Sequence, residues 1–214
     1  VRQFGGTPYD KNTSKVNYFN DAGIKAFEYY VSLLTKHKVS VVDFMDKGEI
    51  AFKAGRAAMH IDGSFVLSTF DRTRRLDYGV TELPVHNGIK ANFSSYWVNG
   101  ITTKVNKKKQ IAAEKFLKFI TSEPAQQLWL DEVGELPSRR AVALREKNLK
   151  HPKYGPFIRG LEYAVTTDFK SEIAQRKTFV DMFDRVVLTN MGVIESLRIG
   201  AMEDQNIINE GLKR

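Results

Sequence analysis

The stretch Ala57-Ala58-Met59-His60-Ile61-Asp62-Gly63-Ser64-Phe65 decides the fold. Residues 57–61 are short and apolar, which predicts a buried β-strand. Asp62-Gly63-Ser64 follows as a turn whose side-chain oxygens can cap a helix, so a helix is expected over residues 65–70. A strand that passes through a tight turn directly into a helix favours an α/β protein.

The sequence before this junction predicts two helices. The first has Asn20 or Asp21 as its cap, and its apolar residues recur at helical spacing at Ile24, Phe27, Val31 and Leu34. The second is expected from about residue 43 to residue 54, where Gly55 ends it in a left-handed conformation. Its buried side chains are predicted to be Phe44, Ile50 and Phe52.

After the junction, two further segments have strand-type sequences. Residues 78–84 predict a strand closed by Pro84. The loop 85–91 then leads into residues 93–103, which are rich in β-branched and aromatic side chains. The middle of the chain therefore adds strands to the predicted α/β architecture.

From residue 107 onward the sequence becomes mainly helical. A helix beginning at Lys107 is expected to have one apolar face formed by Ala112, Ala113, Phe116, Leu117 and Ile120. Ser122-Glu123-Pro124 predicts the start of the next helix, which runs through Leu130 and is broken by Gly134-Glu135-Leu136-Pro137. The closing helices are predicted to bury Phe179, Met182, Phe183, Val186, Ile194, Leu197 and Met202.

The composition is that of an ordinary soluble globular protein, with 42% hydrophobic and 27% charged residues. Cysteine is absent, which excludes disulfides, a thiol nucleophile and a thiolate zinc site. The formal net charge is +8, so a polyanion is a conceivable partner. The densest basic clusters are short and lie beside apolar helical sequence, which is typical of solvated faces: Arg72 to Arg75, Lys107 to Lys109, and Arg139-Arg140.

Signatures of catalysis are weak. The four histidines lie far apart, and no serine elbow, phosphate loop or dinucleotide fingerprint occurs. The acids Asp131, Glu132 and Glu135 cluster before a Gly/Pro break and leave open a carbohydrate-active enzyme, since glycoside hydrolysis needs two well-placed carboxyl groups. We expect no enzymatic activity, no metal and no cofactor.

Aromatic residues at turns point instead to ligand binding. Trp97 stands between Ser95-Tyr96 and Asn99, so ring faces and hydrogen-bonding groups occur within a few residues. Sugars need this mixture of an aromatic face and polar partners. Alternation along a strand would send Tyr96 and Trp97 to opposite faces, so one of the two is as easily a core residue. Trp129 is expected to be a core residue of its helix.

Four motifs together resemble the family 1 extracellular solute-binding proteins, the group that includes maltose-binding protein. They occur in the family's order and cover nearly the whole chain, at Phe52 to Phe65, Tyr78 to Pro84, Ala112 to Ser122, and Gly134 to Arg139. The resemblance implies the C-terminal half of a type II periplasmic-binding-protein fold, with two α/β lobes that close on a ligand. The fold class is thus α/β, with a helix-rich C-terminal part.

The resemblance also implies how the chain is shared between the lobes. Residues 1–83 are expected to belong to the second lobe, and residues 84–137 to return to the first lobe. Residues 138–214 are expected to be helices that pack back on the second lobe.

Site residues are implied by position in the motifs. Asp62, Gly63, Ser64 and Phe65 match the strand-helix junction, where the family places an aromatic side chain that stacks on sugar. The second implied group, with bulkier residues than the Gly-rich stretch of relatives, comprises Ser95, Tyr96, Trp97 and Asn99. Arg139 could reach a ligand hydroxyl or brace the hinge, and the two roles are held equal.

The resemblance implies that the protein binds a sugar or oligosaccharide outside the cytoplasmic membrane of a bacterium and delivers it to the permease of an ABC importer. The location is a periplasm or, for a lipoprotein, the cell surface. We expect a monomer that binds no nucleic acid. A carbohydrate-active enzyme and a basic nucleic-acid-binding module remain the alternatives.

Overall fold

The computed structural model describes residues 1–10, 12–42, 45, 47–167 and 169–212. Within these ranges a single two-stranded sheet forms, from β1 (Asn92–Phe93) and β2 (Ala164–Val165). The described residues otherwise form ten α-helices: α1 (Asp21–Thr35), α2 (Gly48–Lys53), α3 (Leu67–Asp71), α4 (Lys107–Ile120), α5 (Glu123–Val133), α6 (Arg140–Ala143), α7 (Glu146–Leu149), α8 (Gly155–Gly160), α9 (Glu172–Val187) and α10 (Val193–Gly211).

The chain divides into two compact units. Unit 1 contains α1, α9 and α10 and comprises Val1–Asp43, Pro84–Ala91 and Val165–Arg214. Unit 2 contains α2 to α8 and comprises Phe44–Leu83 and Asn92–Ala164. The predicted division into residues 1–83, 84–137 and 138–214 concerns the lobes of a longer protein. Packing within this chain does not test that division, so it stays a prediction.

The core of unit 1 lies between its long helices. Its buried residues are Tyr18, Met182, Leu197 and Ala201, against which half-buried Ile24, Phe27 and Phe179 pack. These residues come from the amphipathic faces of α1, α9 and α10, and Tyr18 from the segment before α1. Burial of such faces supplies most of the stability of helices in proteins.

A fully buried carboxylate lies in the same unit. Asp204 accepts hydrogen bonds from the hydroxyls of Tyr9 (2.7 Å) and Tyr18 (3.1 Å) and from Nε2 of Gln175 (2.8 Å). Burial and the neighbouring carboxylate raise the pKa of both tyrosines. The donors of three separate segments therefore satisfy one charge that would otherwise be costly to bury.

Unit 2 has a smaller core around α5. Leu130, Ala143 and Ile158 are buried there, with Leu136, Leu149 and Tyr154 packed around them. Beside them the amides of Gln127 and Asn148 exchange two hydrogen bonds of 3.0 and 3.1 Å. Asn148 also donates to the carbonyl of Val142, so its buried amide is satisfied as buried polar groups must be.

Local signals located several helix ends correctly. Asn20 caps α1, its side chain accepting from the amide of Gly23. Ser122 caps α5 by accepting from Ala125, and Gly134 ends that helix in a left-handed conformation with φ of 81°. Gly55, with φ of 67°, follows α2 as predicted, although α2 begins only at Gly48. Asp43 and Phe44 lie outside the described residues.

The predicted strands at residues 57–61, 78–84 and 93–103 are wrong for this chain, apart from Phe93 in β1. Met59 and Ile61 are exposed instead of buried. A strand is stable only when a neighbouring strand accepts and donates its backbone hydrogen bonds. Apart from β2, which pairs with Phe93 in β1, the described residues supply no such neighbour to these three segments. After residue 61 the chain forms a short 3₁₀ turn (Ser64–Val66) that precedes α3. No side chain caps this turn, because its N-cap residue is Gly63.

Further residues predicted to be in the core also lie on the surface. Ile50, Trp129, Ile194, Met202 and Phe116 are exposed by 39% to 61% of their surface. The spacing predicts the helices correctly, since all five residues lie in helices. Among the described residues, however, no neighbouring element covers the apolar face of the helix at these positions. None of the described helices is both long and apolar enough to cross a bilayer.

Candidate functional site

Phe65 presents an exposed ring in the 3₁₀ turn that precedes α3 in unit 2. Its side chain is 58% exposed, whereas Ser64 and Val66 on either side are buried. The Cδ1-Cε1 edge of the ring lies against Gly63. A Cβ atom added to Gly63 would come within 2.3 Å of Cε1, so only glycine leaves room for the ring in this position. The turn therefore holds an aromatic platform, the Phe65 ring, at the surface.

A histidine-carboxylate pair precedes the platform. Nε2 of His60 lies 2.9 Å from Oδ2 of Asp62, and Oδ1 of Asp62 accepts a 2.8 Å hydrogen bond from the amide of Gly63. Both oxygens of the carboxylate thus have partners in the turn. This pairing fixes the backbone that carries Phe65.

An aromatic cluster of Phe52, Phe70 and Tyr78 packs against His60. Phe52 of α2 stacks on the His60 ring with centroids 6.0 Å apart, and Phe70 of α3 lies 5.2 Å from Phe52. Tyr78 meets Phe70 edge to face at 5.5 Å. Such pairs stabilise beyond the area that they bury. The cluster therefore ties α2, the turn and α3 together.

Tyr78 is held by charged neighbours. Its hydroxyl donates a 2.7 Å hydrogen bond to Oδ1 of Asp71, and Nζ of Lys153 lies 4.5 Å from its ring centroid and pairs with the same carboxylate. Burial opposes ionisation of Asp71, but the hydrogen bonds from Lys153 and Tyr78 outweigh it and lower the pKa. Burial and the Asp71 carboxylate raise the pKa of Tyr78.

The structure brings two of the sequence motifs together. At Gly134, the left-handed end of α5, an added Cβ would lie 3.3 Å from Cβ of Leu67 and 3.7 Å from the carbonyl oxygen of Ser64. The Gly134-Glu135-Leu136-Pro137 motif thus packs directly against the start of α3 and the 3₁₀ turn that carries Phe65. A substitution at Gly134 would therefore press on Leu67 and Ser64, and through them could displace the Phe65 ring.

Arg139 contacts the backbone at the end of α4. Its Nε donates to the carbonyl oxygen of Thr121, and the neighbouring Ser138 amide donates 2.7 Å to Oε1 of Gln126. Of the two roles that the sequence leaves open for Arg139, contact with a ligand hydroxyl and bracing of the hinge, these hydrogen bonds fit bracing. Its role toward a ligand stays a prediction.

The second predicted group lies in an extended surface segment. Trp97 is 98% exposed and Tyr96 is 73% exposed, and Ser95 and Asn99 are exposed as well. Among the described residues, no hydrogen bond or ring contact engages these four side chains. The structure places Phe65, Tyr96 and Trp97 in unit 2 with open rings, and it does not bring the rings into contact.

Other chemistry finds little support in the described residues. No group of three or more His, Asp or Glu there could hold a metal ion. Oδ1 of Asp131 accepts from Nε2 of Gln127 at 2.8 Å and lies 3.4 Å from the Tyr154 hydroxyl. Its other oxygen lies 3.8 Å from Nζ of Lys147. Asp131 therefore has structural partners on both oxygens.

Unit 1 has a cleft of its own, which the sequence analysis did not anticipate. Its volume is about 490 Å³, and Phe4, Tyr29 and His86 line it together with polar residues of α1. The rings of Phe4 and His86 stack with centroids 4.2 Å apart. None of the predicted site residues lies in this cleft.

Sequence reasoning missed the residues that support the platform. The sequence predicts His60 in a buried strand, Phe52 on the buried face of a helix and Tyr78 in another strand, and it gives none of the three a role at the site. The His60-x-Asp62 spacing was the available signal, since it joins two hydrogen-bonding side chains across one residue. The contacts of Phe52 and Tyr78 depend on tertiary packing.

The profile of the bacterial extracellular solute-binding proteins matches residues 2–155. The chain belongs to this family. A comparison with curated protein sequences gives no match.

Solved structures resemble this solute-binding protein over almost all of its length. Maltose-bound MalE3 of T. maritima superposes with a TM-score of 0.77 at 22% identity, covering 94% of this chain and 54% of that one. The GacH receptor of Streptomyces glaucescens, solved unliganded and with acarbose, has a TM-score of 0.79 at 19% identity, covering 99% and 55%. UgpB of Mycobacterium tuberculosis with glycerophosphocholine has a TM-score of 0.77 at 18% identity, covering 99% and 54%.

At these identities the similarity concerns the fold. The solute-binding protein chain spans about half the length of the structures that it resembles. The predicted class, a helix-rich half of a type II periplasmic-binding-protein fold, is thereby confirmed. The similar structures are binding proteins rather than enzymes.

Proposed function

We propose that this chain is part of an extracytoplasmic receptor that captures a sugar or oligosaccharide and delivers it to the permease of an ABC importer. The family match over residues 2–155 is the observation that carries the proposal. Membership of an extracellular family implies a location outside the cytoplasm. We further propose a bacterial cell, a periplasmic or lipid-anchored form, and a monomer.

The site is proposed to lie around Phe65. Its ring offers an apolar face to the C-H side of a sugar, and the exposed carboxylate of Asp62 offers oxygens beside it. Ser64, which is buried, is proposed to support the site from within the turn. Ser95, Tyr96, Trp97, Asn99 and Arg139 are proposed to complete the site with Gly63. Stacking and hydrogen bonding hold the ligand, and no covalent bond changes.

The ligand class is supported by relatives of the same fold. MalE3 was solved with maltose and GacH with acarbose, whereas UgpB was solved with glycerophosphocholine. A neutral sugar agrees best with the exposed aromatic rings of this chain. A glycerophosphodiester is the second candidate, because the UgpB structure shows that the fold accepts one.

The first experiment measures ligand binding by calorimetry with maltose, maltotriose, acarbose and glycerophosphocholine. The longest form of the polypeptide that can be purified should bind a sugar, and Phe65→Ala should weaken that binding at least about tenfold, the loss of one stacking contact of roughly 1.4 kcal/mol. Phe19→Ala, an exposed ring of unit 1, is the control and should leave affinity unchanged.

These 214 residues alone should bind weakly or not at all, because lobe closure needs both lobes. Tight sugar binding by the chain alone would contradict this aspect of the proposal. Equal affinities of the parent and Phe65→Ala would contradict the site.

Two further measurements address the alternatives. Incubation with maltotriose followed by chromatography should show no shorter products, whereas turnover would favour the enzyme. Binding to DNA or RNA should be absent, whereas binding that weakens steeply with salt would favour the nucleic-acid module. The alternatives are not favoured by the family match.

A further inference from the structure

The cleft of unit 1 is built from three segments that are far apart in the sequence. They are the 3₁₀ turn Arg2–Phe4, the helix α1 with the residues just after it, and the loop 84–89. Nε2 of Gln3 donates a 2.5 Å hydrogen bond to the carbonyl oxygen of Pro84, which ties the first segment to the third. The cleft is therefore a product of tertiary packing within one unit.

A tight hairpin fixes one wall of the cleft. His86 and Ile89 exchange backbone hydrogen bonds of 2.8 and 3.3 Å, and between them Asn87 and Gly88 have φ of 49° and 76°. Positive φ at both central residues is the condition for a type I′ turn, which an Asn-Gly pair meets at low cost. The His86 ring is thereby held at the start of a turn whose shape follows from the sequence.

Three rings line the cleft side by side. Phe4 and His86 stack with centroids 4.2 Å apart, and Tyr29 of α1 lies 5.9 Å from Phe4 and 6.5 Å from His86. Tyr29 is 53% exposed, and Phe4 and His86 are half-buried. A further flat ring can therefore pack against this group without displacing any part of the core.

Positive charge lies beside the rings on the same side of α1. Lys25, Tyr29, Ser32 and Lys36 follow one another at intervals of four, three and four residues, which places them along one face of the helix. Both lysines are exposed, and no ion pair among the described residues engages either of them. Of the described residues that line the cleft, Glu28 alone is acidic. The cleft therefore favours an anion over a cation.

We propose that this cleft is a second ligand site, for a small molecule in which a planar ring carries a phosphate or carboxylate group. The ring packs against Tyr29 and the Phe4-His86 pair, and the anionic group lies near Lys25 or Lys36. The volume of about 490 Å³ is within the range of small-molecule sites. None of the residues proposed to bind sugar lines this cleft, so the inference goes beyond sugar capture and does not depend on it.

Solution NMR of the isotope-labelled chain tests the ligand class, with phenyl phosphate as the probe. Titration should shift the ring resonances of Tyr29 and His86 and approach saturation in the millimolar range, as expected for one stacking contact and one exposed charge pair. Inorganic phosphate lacks the ring and benzyl alcohol lacks the charge, so each should bind at least about threefold more weakly. Absence of saturable shifts, or equal affinity for all three probes, would overturn the proposal.

Two neighbouring tyrosines of α1 give a matched pair of variants. Tyr29→Ala removes a ring that lines the cleft, and the affinity for phenyl phosphate should fall at least about threefold. Tyr30→Ala removes a ring of similar exposure, 58%, that packs on Phe183 outside the cleft, and the affinity should not change. Equal affinities in Tyr29→Ala and the parent would overturn the proposed site.

The contribution of charge is tested in the same way. Lys25→Gln with Lys36→Gln should weaken phenyl phosphate binding at least about threefold and leave benzyl alcohol binding unchanged. Lys15→Gln with Lys38→Gln removes the same charge from exposed positions of unit 1 outside the cleft and should leave both affinities unchanged. Circular dichroism should show the same helix content in all variants. A parallel loss of affinity in both double variants would show that the net charge of the chain attracts the anion, and would overturn the proposal.

Discussion

The two units differ in how completely they satisfy their own groups. Unit 1 encloses a carboxylate, Asp204, and gives each of its oxygens a donor. Unit 2 leaves the aromatic side chains of α4 exposed, and among the described residues the backbone of residues 96–101 is unpaired. The comparison teaches that a helix can form without a complete core around it. α4 is capped by the side chain of Asn106, yet none of its residues is fully buried.

The largest effect is expected at Asp204. Asp204→Ala leaves the hydroxyls of Tyr9 and Tyr18 and the amide of Gln175 without their buried acceptor, so the free energy of unfolding should fall by roughly 3–5 kcal/mol. Urea denaturation measures the change. Asp181→Ala is the control, because its carboxylate pairs with Lys177 at the surface of α9. A loss below about 1 kcal/mol at Asp204 would break the contrast between the units.

A medium effect is expected at the end of α5 in unit 2. Gly134→Ala forces an L side chain into φ of 81° and brings a Cβ within 3.3 Å of Leu67, so stability should fall by about 1–2 kcal/mol. Thermal unfolding measures it. Gly79→Ala, where an added Cβ meets no atom within 4 Å, should be nearly neutral. Similar losses in both variants would show that the left-handed cap does not stabilise unit 2.

The smallest effect concerns acid sensitivity of unit 2. Burial lowers the pKa of His151, whose ring stacks on Tyr154 at 3.6 Å and whose Nδ1 lies 3.2 Å from the Lys153 amide. As the pH falls below about 7, the unfolded chain takes up the proton more readily than the folded one. This histidine therefore destabilises the fold at falling pH, by less than about 1 kcal/mol because the site is partly solvated.

His151→Asn keeps an acceptor for the Lys153 amide and removes the titrating imidazole. The free energy of unfolding, measured from about pH 7 to about pH 5, should therefore depend less on pH in this variant than in the parent. Asn206→Gln, a change at an exposed amide of α10 that does not titrate, is the control and should leave the slope as it was. An unchanged slope in His151→Asn would assign the acid sensitivity to other groups. The tyrosines around Asp204 do not contribute in this range, since their pKa is raised from an already high value.

Local chemistry explains what the sequence could predict. The caps Asn20 and Ser122 and the stop at Gly134 act within a few residues, so their predicted positions are correct. The predictions of strands are wrong because a ladder needs a partner, and periodicity cannot tell whether the partner belongs to the chain. The predicted burial of Ile194 and Met202 is wrong for the same reason.

The candidate site was predictable only in its exposed residues. Phe65 was found by its place in a motif, and it is indeed exposed, but its role toward a ligand stays a prediction. Phe52 contacts His60 across the loop between α2 and the turn, and it contacts Tyr78 from beyond α3, so the supporting contacts join separate elements. Tertiary packing, rather than spacing in the sequence, decides such contacts.

The close contact between Gly63 and Phe65 has a consequence for variation of this surface. A larger residue at position 63 would displace the neighbouring ring without altering the ring itself. The residue at position 63 therefore controls the orientation of the Phe65 ring, so that substitutions there could redirect the ring while Phe65 itself is kept. Comparing close homologues at that position would show whether nature has used this route to new ligand preferences.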